Sequence, residues 1–477
     1  MLTRRDNRTK IIATLGPAST NEEMIRKLVL SGVDVFRLNM SHGSHSLHKK
    51  TIQLIRKVNK ELDTFVAILV DLQGPKIRLG MVEENLPPLK RNDELEITTN
   101  EMVGNNSRVY ITYQEFARDV EAGDSILIDD GKIEAKVLTS NKKDLVKVRI
   151  IHPGKLSSRK GVNLPDTNVS VPSLTEKDHE DLIFALNNGA NWVALSFVRK
   201  AEDILELKKI IKEMGKLTKV IAKIEKPEGY RNIDGIIEAT DAVMVARGDL
   251  GVEVPVENVP FIQKDIVRKC MEKARPVIIA TQMMESMIES ARPTRAEVTD
   301  VANAVMDGAD AVMLSGETAT GIHPELVVKT MSKIILKAEK EDSVYNRKHA
   351  PNKSSRTFLS DAICYNACKI ADDAKAAAIM GMTKTGYTAF MLSSSRPKAR
   401  IFVFTNNKEI VNTLNLLWGV RAFYYTKLKG TYETFMDVQK HLKEDNLVHK
   451  GDIVLNLGTM PVTQPSRTNV LRISIID

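Results

Sequence analysis

Between Val220 and Gly251 the chain reads VIAKIEKPEGYRNIDGIIEATDAVMVARGDLG, and two apolar, β-branched runs within it end in charge. Lys223 and Glu225 stand at the tip of the first run, Arg247 and Asp249 at the tip of the second. Such runs bury themselves as central strands, so charged C-terminal tips are poorly explained as packing and well explained as a site. The two carboxylates can hold a divalent cation, and the cations beside them can hold anions. That combination suits phosphoryl transfer, whose transition state spreads negative charge over oxygens that metal, Lys or Arg must neutralise. The bland alternative is a surface salt bridge with Lys223 and Arg247, which requires both runs to be buried up to their tips by coincidence.

Other residues add to this chemistry. Arg37 in FRLN and Arg78 in KIR each offer a fork suited to bidentate phosphate contact. Gly248 permits close backbone approach, so its amide or that of Asp249 can hold a substrate carboxylate. Thr281, at the tip of PVIIAT, either positions a water that delivers a proton or serves as a helix N-cap. His42 lies between Ser41 and Gly43 at a strand-to-helix corner and reads locally as a capping or turn histidine. His45 and His48 imitate a metal pair at i to i+3 spacing, but without a third ligand the reading is surface packing. In GMTKTGYTA, the donors of Thr383, Lys384, Thr385, Gly386 and Thr388 directly precede an expected helix and can cradle one phosphate. The Walker pattern is absent there, and a polar strand-to-helix turn is the alternative.

These residues need a scaffold, and the pattern of the chain supplies one. TKIIATLG, VDVFRLNMS and TFVAILVDL alternate with helices expected over 21–30 and 44–59. NWVALSF, TKVIAKIE, DAVMVARG, PVIIATQM and DAVMLSGE resume the rhythm, with helices expected from 176, over 201–214, 259–273 and 297–306. Eight strands with chemistry at their C-terminal ends predict a (β/α)8 TIM barrel over 1–75 and 173–345. Between its halves, 76–172 carries short strand-like pieces (LEITT, RVYIT, SILIDDGKIEAKVL, LVKVRII) and a hairpin signal at Asp129-Asp130-Gly131, so an inserted β-barrel domain is expected. Residues 346–477 contain AKAAAIMG, TAFMLSS, RIFVFT, VRAFYY and DIVLNLG, five apolar segments that predict a C-terminal open α/β domain.

Bulk properties exclude little but agree. At 477 residues the chain has material for two to four domains. Charged residues make up 27% and no apolar run reaches membrane-spanning length. The basic start reaches a Gly-Pro after a short apolar run and so reads as a first strand rather than a secretion signal, making a cytoplasmic location the default. Cys270, Cys364 and Cys368 form no disulfide or zinc framework. The net charge of +8 invites a nucleic-acid reading, but the basic residues are dispersed among acids, and attraction of small polyanions explains the excess equally well.

The motifs RLNMSHG, DLQGPKIR, IAKIE, VARGDLG, ATQMMESM, PTRAEVTDVANAV and DAVMLSGETATG, in this order over nearly the whole length, resemble the pyruvate kinase family. The resemblance implies transfer of the phosphoryl group of phosphoenolpyruvate to ADP, giving pyruvate and ATP in glycolysis, with Mg2+ required and Mn2+ a possible substitute. It implies Glu225 and Asp249 as metal ligands, Lys223 as transition-state stabiliser and Thr281 at the proton-delivery step. Arg37 and Arg78 would contact the transferring phosphoryl group and nucleotide phosphates, and Thr14, Pro17, His42 and Lys160 would lie near the nucleotide, Lys160 on a closing lid. It also implies a homotetramer, with no nucleic-acid or membrane partner.

One corner departs from the pattern common in that family: DLQGPKIRLG stands where many members have DTKGPEIRTG. Asn39, Ser41 and Asp71 keep side-chain oxygens suited to K+, while Leu72 and Lys76 replace the usual Thr and Glu. The Lys76 ammonium can supply the charge that K+ otherwise brings, and resemblance to the Leu-Gln-Gly-Pro-Lys subgroup predicts activity without added K+. The same resemblance makes Thr383, Lys384, Thr385, Gly386 and Thr388 the phosphate loop of an effector, AMP or a sugar monophosphate. Two rival readings are a Mg2+-dependent barrel aldolase or lyase, which would need neither the insertion nor ADP, and an RNA-binding protein, which rests on charge alone.

Overall fold

The computed structural model describes residues 7–347, 349–427, 430–461 and 467–477. Three strands, β1 (Lys10–Thr14), β2 (Val35–Asn39) and β3 (Ala67–Asp71), precede an inserted set of six: β4 (Glu94–Thr98), β5 (Arg108–Tyr110), β6 (Ser125–Ile128), β7 (Ile133–Ser140), β8 (Leu145–His152) and β9 (Val162–Asn163). Then follow β10 (Trp192–Leu195), β11 (Lys219–Ile224), β12 (Ala242–Ala246), β13 (Val277–Ala280) and β14 (Ala311–Leu314). The eight strands outside the insertion close in the order β1-β14-β13-β12-β11-β10-β3-β2. All eight pairings are parallel, and β1 seals the barrel against β14 with Lys10 beside Ala311 and Ala13 beside Leu314.

Helices cover the outside because their apolar faces match the strands' outward residues. Local side chains set their starts: Asn21 caps Glu22–Ser31, Ser44 caps His45–Leu62, and Thr175 with Asp178 forms a capping box on Glu176–Asn187. Inside the barrel, Ile12, Val35, Ala67, Trp192, Ala242, Met244 and Ile278 pack together with Leu416 of the C-terminal domain. Trp192 Nε1 also donates to the Thr413 carbonyl at 3.1 Å. The C-terminal domain therefore stops the N-terminal mouth with apolar side chains, and polar groups gather at the opposite end.

The insertion is a six-stranded sheet in the order β5-β4-β8-β7-β6-β9. Isolated bridges Leu79↔Ile111 and Arg78↔Gly161 tie the entering chain to both ends of that order, which rounds the sheet towards a small barrel. The β6–β7 turn carries Asp129, Asp130 and Gly131 all at positive φ, as the Asp-Asp-Gly signal requires.

In the C-terminal domain β15 (Ala378–Met382), β16 (Arg400–Thr405), β17 (Val420–Tyr424), β18 (Ile453–Gly458) and β19 (Val470–Ile475) form one sheet, ordered β17-β16-β15-β18-β19 with only β19 antiparallel. TAFMLSS is not one of its strands. It lies in the helix Tyr387–Ser394, and VLRISI supplies the fifth strand. A short run apolar on all sides has no period that separates a buried helix from a buried strand. Cys364 and Cys368 are buried in the helix Phe358–Asp373 against Ile379, Ile401 and Leu455 of the same domain.

Candidate active site

At the C-terminal face of the barrel one ammonium group organises the site. Lys223 Nζ lies 2.9 Å from Glu225 Oε1, 3.2 Å from Asp71 Oδ1 and 2.7 Å from Ser196 Oγ, so three strand tips converge on it. Asp71 also grips Arg37, with Nε and Nη2 each 2.7 Å from Oδ2, and Arg37 Nη1 donates to Thr14 Oγ1 at 3.0 Å. The second oxygen of Glu225 accepts the Phe197 amide at 2.6 Å, and Phe197 holds φ at +54° to present it. Burial would push the Asp71 carboxyl up, but Lys223 and Arg37 overcome this and hold it below its ordinary value. Burial likewise works against the Lys223 charge, yet Asp71 and Glu225 raise its pKa, so it stays protonated. Glu225 goes the other way: burial raises its pKa, Lys223 opposes, and the Asp249 charge adds to the rise.

A second cluster forms where β12 and β13 end. Thr281 Oγ1 accepts the Gly248 amide at 2.7 Å and donates to the Ala280 carbonyl at 2.6 Å. Thr281 and Gln282 both sit at positive φ, a left-handed turn that costs energy for non-glycine residues and brings the hydroxyl over the barrel mouth. Arg247 does not join the anion-holding cations. Its guanidinium forms two 2.7 Å bonds with Asp300 and a third, also 2.7 Å, to the Thr281 carbonyl. It braces the turn that carries Thr281, and the surface salt bridge once conceivable between Arg247 and Asp249 is not formed among the described residues.

The remaining candidates are more dispersed. Arg78 donates to the Arg159 carbonyl at 3.1 Å, and Lys160 pairs with Asp129 at 2.9 Å, both on the insertion. Lys76 leans towards Asp249, 3.8 Å from Oδ1. Asn39 Oδ1 accepts the Ser41 amide at 3.1 Å, and Leu72 is buried, its carbonyl accepting Ser196 Oγ at 2.7 Å. Thr14 is buried and donates to the Leu314 carbonyl, whereas Pro17 and His42 are exposed. His45 stacks on Phe184 and meets Asp181 at 2.6 Å; His48 is buried rather than superficial, bonded to the His42 carbonyl at 2.8 Å, and burial lowers its pKa. Among the described residues no three His, Cys, Asp or Glu converge as a metal cage.

Residues 6–328 match the family described as "Pyruvate kinase, barrel domain", and 361–474 match "Pyruvate kinase, alpha/beta domain". The chain belongs to the pyruvate kinase family. It is 42% identical over 470 residues to the pyruvate kinase of Staphylococcus aureus strain MRSA252, covering 98% of this chain and 80% of that protein, and equally to that of strain USA300. A crystal structure of a pyruvate kinase from Cryptosporidium parvum superposes with a TM-score of 0.92 at 36% identity, covering 99% of this chain and 97% of the other. The chain is accordingly a pyruvate kinase-type phosphotransferase, and the aldolase or lyase alternative finds no support.

In the C-terminal domain the loop 383–388 opens on a cavity of about 330 Å³, lined by Thr383, Lys384, Thr385, Thr388, Arg467 and Thr468 among others. Gly386, at φ +86°, caps the helix Tyr387–Ser394, and its amide donates to Thr383 Oγ1 at 2.9 Å. The sequence reading passed over Ser196, Asp300 and Asp178. Ser196 follows the tip of β10 and obeys the same strand-end rule that singled out Lys223, so it was findable. Asp178 Oδ1 accepts the Gly74 amide at 3.0 Å, while Oδ2 accepts the Thr175 amide at 3.0 Å and the Thr175 hydroxyl at 2.7 Å. Both legs of the insertion thus rest on one buried carboxylate; the Thr175 half is a capping box with a local signal, the Gly74 half has none.

Proposed function

We propose that this pyruvate kinase performs its reaction at the Lys223 cluster, with Mg2+ held by Glu225 and Asp249. The observation that carries the reading is Lys223 Nζ, buried and charged between Asp71 and Glu225 with Arg37 alongside. Mg2+ suits the donor set: two hard oxygens, one raised in pKa by burial and by the other's charge, leaving coordination places for substrate and water. When bound it supplies Lewis-acid neutralisation of phosphate and enolate oxygens. The chain's own groups do the rest. With the Gly248 amide engaged by Thr281 Oγ1, the Asp249 amide receives the phosphoenolpyruvate carboxylate, and Arg37 and Arg78 hold the phosphoryl oxygens. The bond from phosphorus to the enol oxygen breaks as one to the terminal ADP oxygen forms, and Lys223 stabilises the charge left on the enolate oxygen. A proton then adds to the methylene carbon from a water ordered by Thr281, whose oxygen retains a lone pair beyond the Gly248 contact. Lys160, His42, Pro17 and Thr14 line the nucleotide side.

Lys76 takes the place of K+ in this reading. Its ammonium reaches towards Asp249, 3.8 Å from Oδ1, and the buried Leu72 offers no hydroxyl at its own position. The loop 383–388 binds AMP or a sugar monophosphate, supported by its cavity and helix terminus. A homotetramer is supported by large apolar side chains left exposed, among them Val256, Phe261, Leu359 and Ile475. A cytoplasmic setting is supported by cysteines used as buried core side chains, Cys270 in the barrel and Cys364 and Cys368 in the C-terminal domain.

Pyruvate formation from phosphoenolpyruvate and ADP with Mg2+ tests the whole reading when run in Na+ and in K+, with and without ribose 5-phosphate. Full turnover in Na+ is expected. Turnover only in K+ would keep the kinase and discard the role of Lys76.

A further inference from the structure

Glu253 is buried, its side chain only 1% exposed, yet it belongs to no catalytic group described above. It ends the helix Arg247–Glu253, one turn beyond Asp249. Its Oε1 accepts from two elements at once: Lys226 Nζ at 3.1 Å, next in sequence to Glu225, and Asn163 Nδ2 at 2.9 Å, from β9 of the insertion. Its Oε2 is buried with no hydrogen-bond partner, an expensive state for a carboxylate oxygen unless a water reaches it. Beside it, in the seam between insertion and barrel, is a cavity of about 30 Å³, of the size that holds one water. Lys76, Arg199 and Asp249 also line this seam.

What Asn163 carries with it gives the contact its meaning. Lys160 is three residues earlier, Gly161 bridges to Arg78, and the Arg159 carbonyl accepts from the Arg78 guanidinium. Seating Asn163 therefore seats the segment that bears Lys160 and orients Arg78. The same carboxylate belongs to the helix bearing Asp249, and its Oε1 also accepts from the residue after Glu225.

We infer that Glu253 is the positioning residue that receives the closing insertion, locking the phosphate-side cations of segment 159–163 in register with the carboxylate side of the site through Asn163. The inference rests on the roles proposed for Lys160, Arg78 and Asp249. An open insertion leaves Glu253 to Lys226 alone, and closure adds the Asn163 bond.

Three variants and one control test it. Asn163→Asp opposes two carboxylates across the seam and is expected to lower kcat/KM for ADP on the order of a hundredfold. Asn163→Ala only deletes a donor and is expected to cost about fivefold. Combining Asn163→Asp with Glu253→Gln exchanges donor and acceptor and should restore most of the Asn163→Asp loss, a recovery that damaged folding would not show. KM for phosphoenolpyruvate should move least, and amide exchange over 159–163 with both substrates present should rise in step with the loss. Equal losses in the two single variants without recovery in the double, or unchanged kcat/KM in all three, overturn the inference. Lys160→Met separates it from the reading beneath: if that variant keeps normal kinetics with ADP while the exchange effects and their recovery persist, the latch stands and the role of Lys160 falls.

Discussion

Both ends of the barrel bury an arginine against an aspartate, and the two pairs serve different purposes. At the N-terminal end Arg396 meets Asp310 at 2.9 Å, donates to the Gly308 carbonyl at 2.7 Å and stacks over Trp418; Asp310 also accepts the Val277 amide at 3.0 Å. That guanidinium is 1% exposed, and every contact is to structure. At the C-terminal end the Arg37 and Lys223 side chains each keep 11% exposure, and Asp71 and Glu225 share Lys223. A fully buried pair whose contacts are all internal holds domains together, whereas a partly accessible one can accept a substrate. Chemistry concentrates on the face where strands end because tips there are free of the plug formed by Leu416.

Breaking each pair should separate these purposes. Lys223→Met should produce the largest effect, lowering kcat about a thousandfold, measured by steady-state pyruvate release; a loss below tenfold would remove Lys223 from the centre. Arg396→Met leaves Asp310 buried and unpaired and is expected to cost about 3–5 kcal/mol in urea unfolding, with kcat of the folded enzyme nearly unchanged. A comparable fall in kcat would mean the two ends are not separable.

The acid response sharpens the contrast. Lys223 and Arg37 overcome burial to hold Asp71 below its ordinary carboxyl value, so its stabilising contribution is complete above the unfolded pKa and disappears as pH falls through the lower folded one. Asp71→Asn should therefore give a shallower loss of stability between about pH 4 and the acid unfolding point than the parent, read by thermal unfolding against pH. The smallest effect is expected at the remote cavity: Thr383→Ala should leave activity without effector unchanged and remove a severalfold leftward shift of the phosphoenolpyruvate curve by ribose 5-phosphate. An unaltered shift in that variant would place the effector elsewhere.

Local pattern made much of this legible. Apolar runs ending in Lys223, Glu225 and Asp249 marked the barrel strands and the site together, and Asp129-Asp130-Gly131 marked its hairpin, because burial of a strand and positive φ in a turn are demands on neighbouring residues. The two-residue β9 was too short to show a period, and β19 was passed over because VLRISI alternates weakly beside an arginine.

The sequence by itself determined the alternation of elements, the strand tips where charge accumulates and, through its motifs, the family. Only the tertiary structure decided which of those charges act. Arg247 and Lys223 look alike as strand-end cations, yet Asp300, 53 residues from Arg247, draws one into bracing a turn, while Asp71, Ser196 and Glu225 hold the other in the barrel mouth. The role of Glu253 likewise depends on Asn163, 90 residues away. Strand burial is a property of a stretch of chain, but the satisfaction of a buried charge is a property of whatever the fold brings beside it.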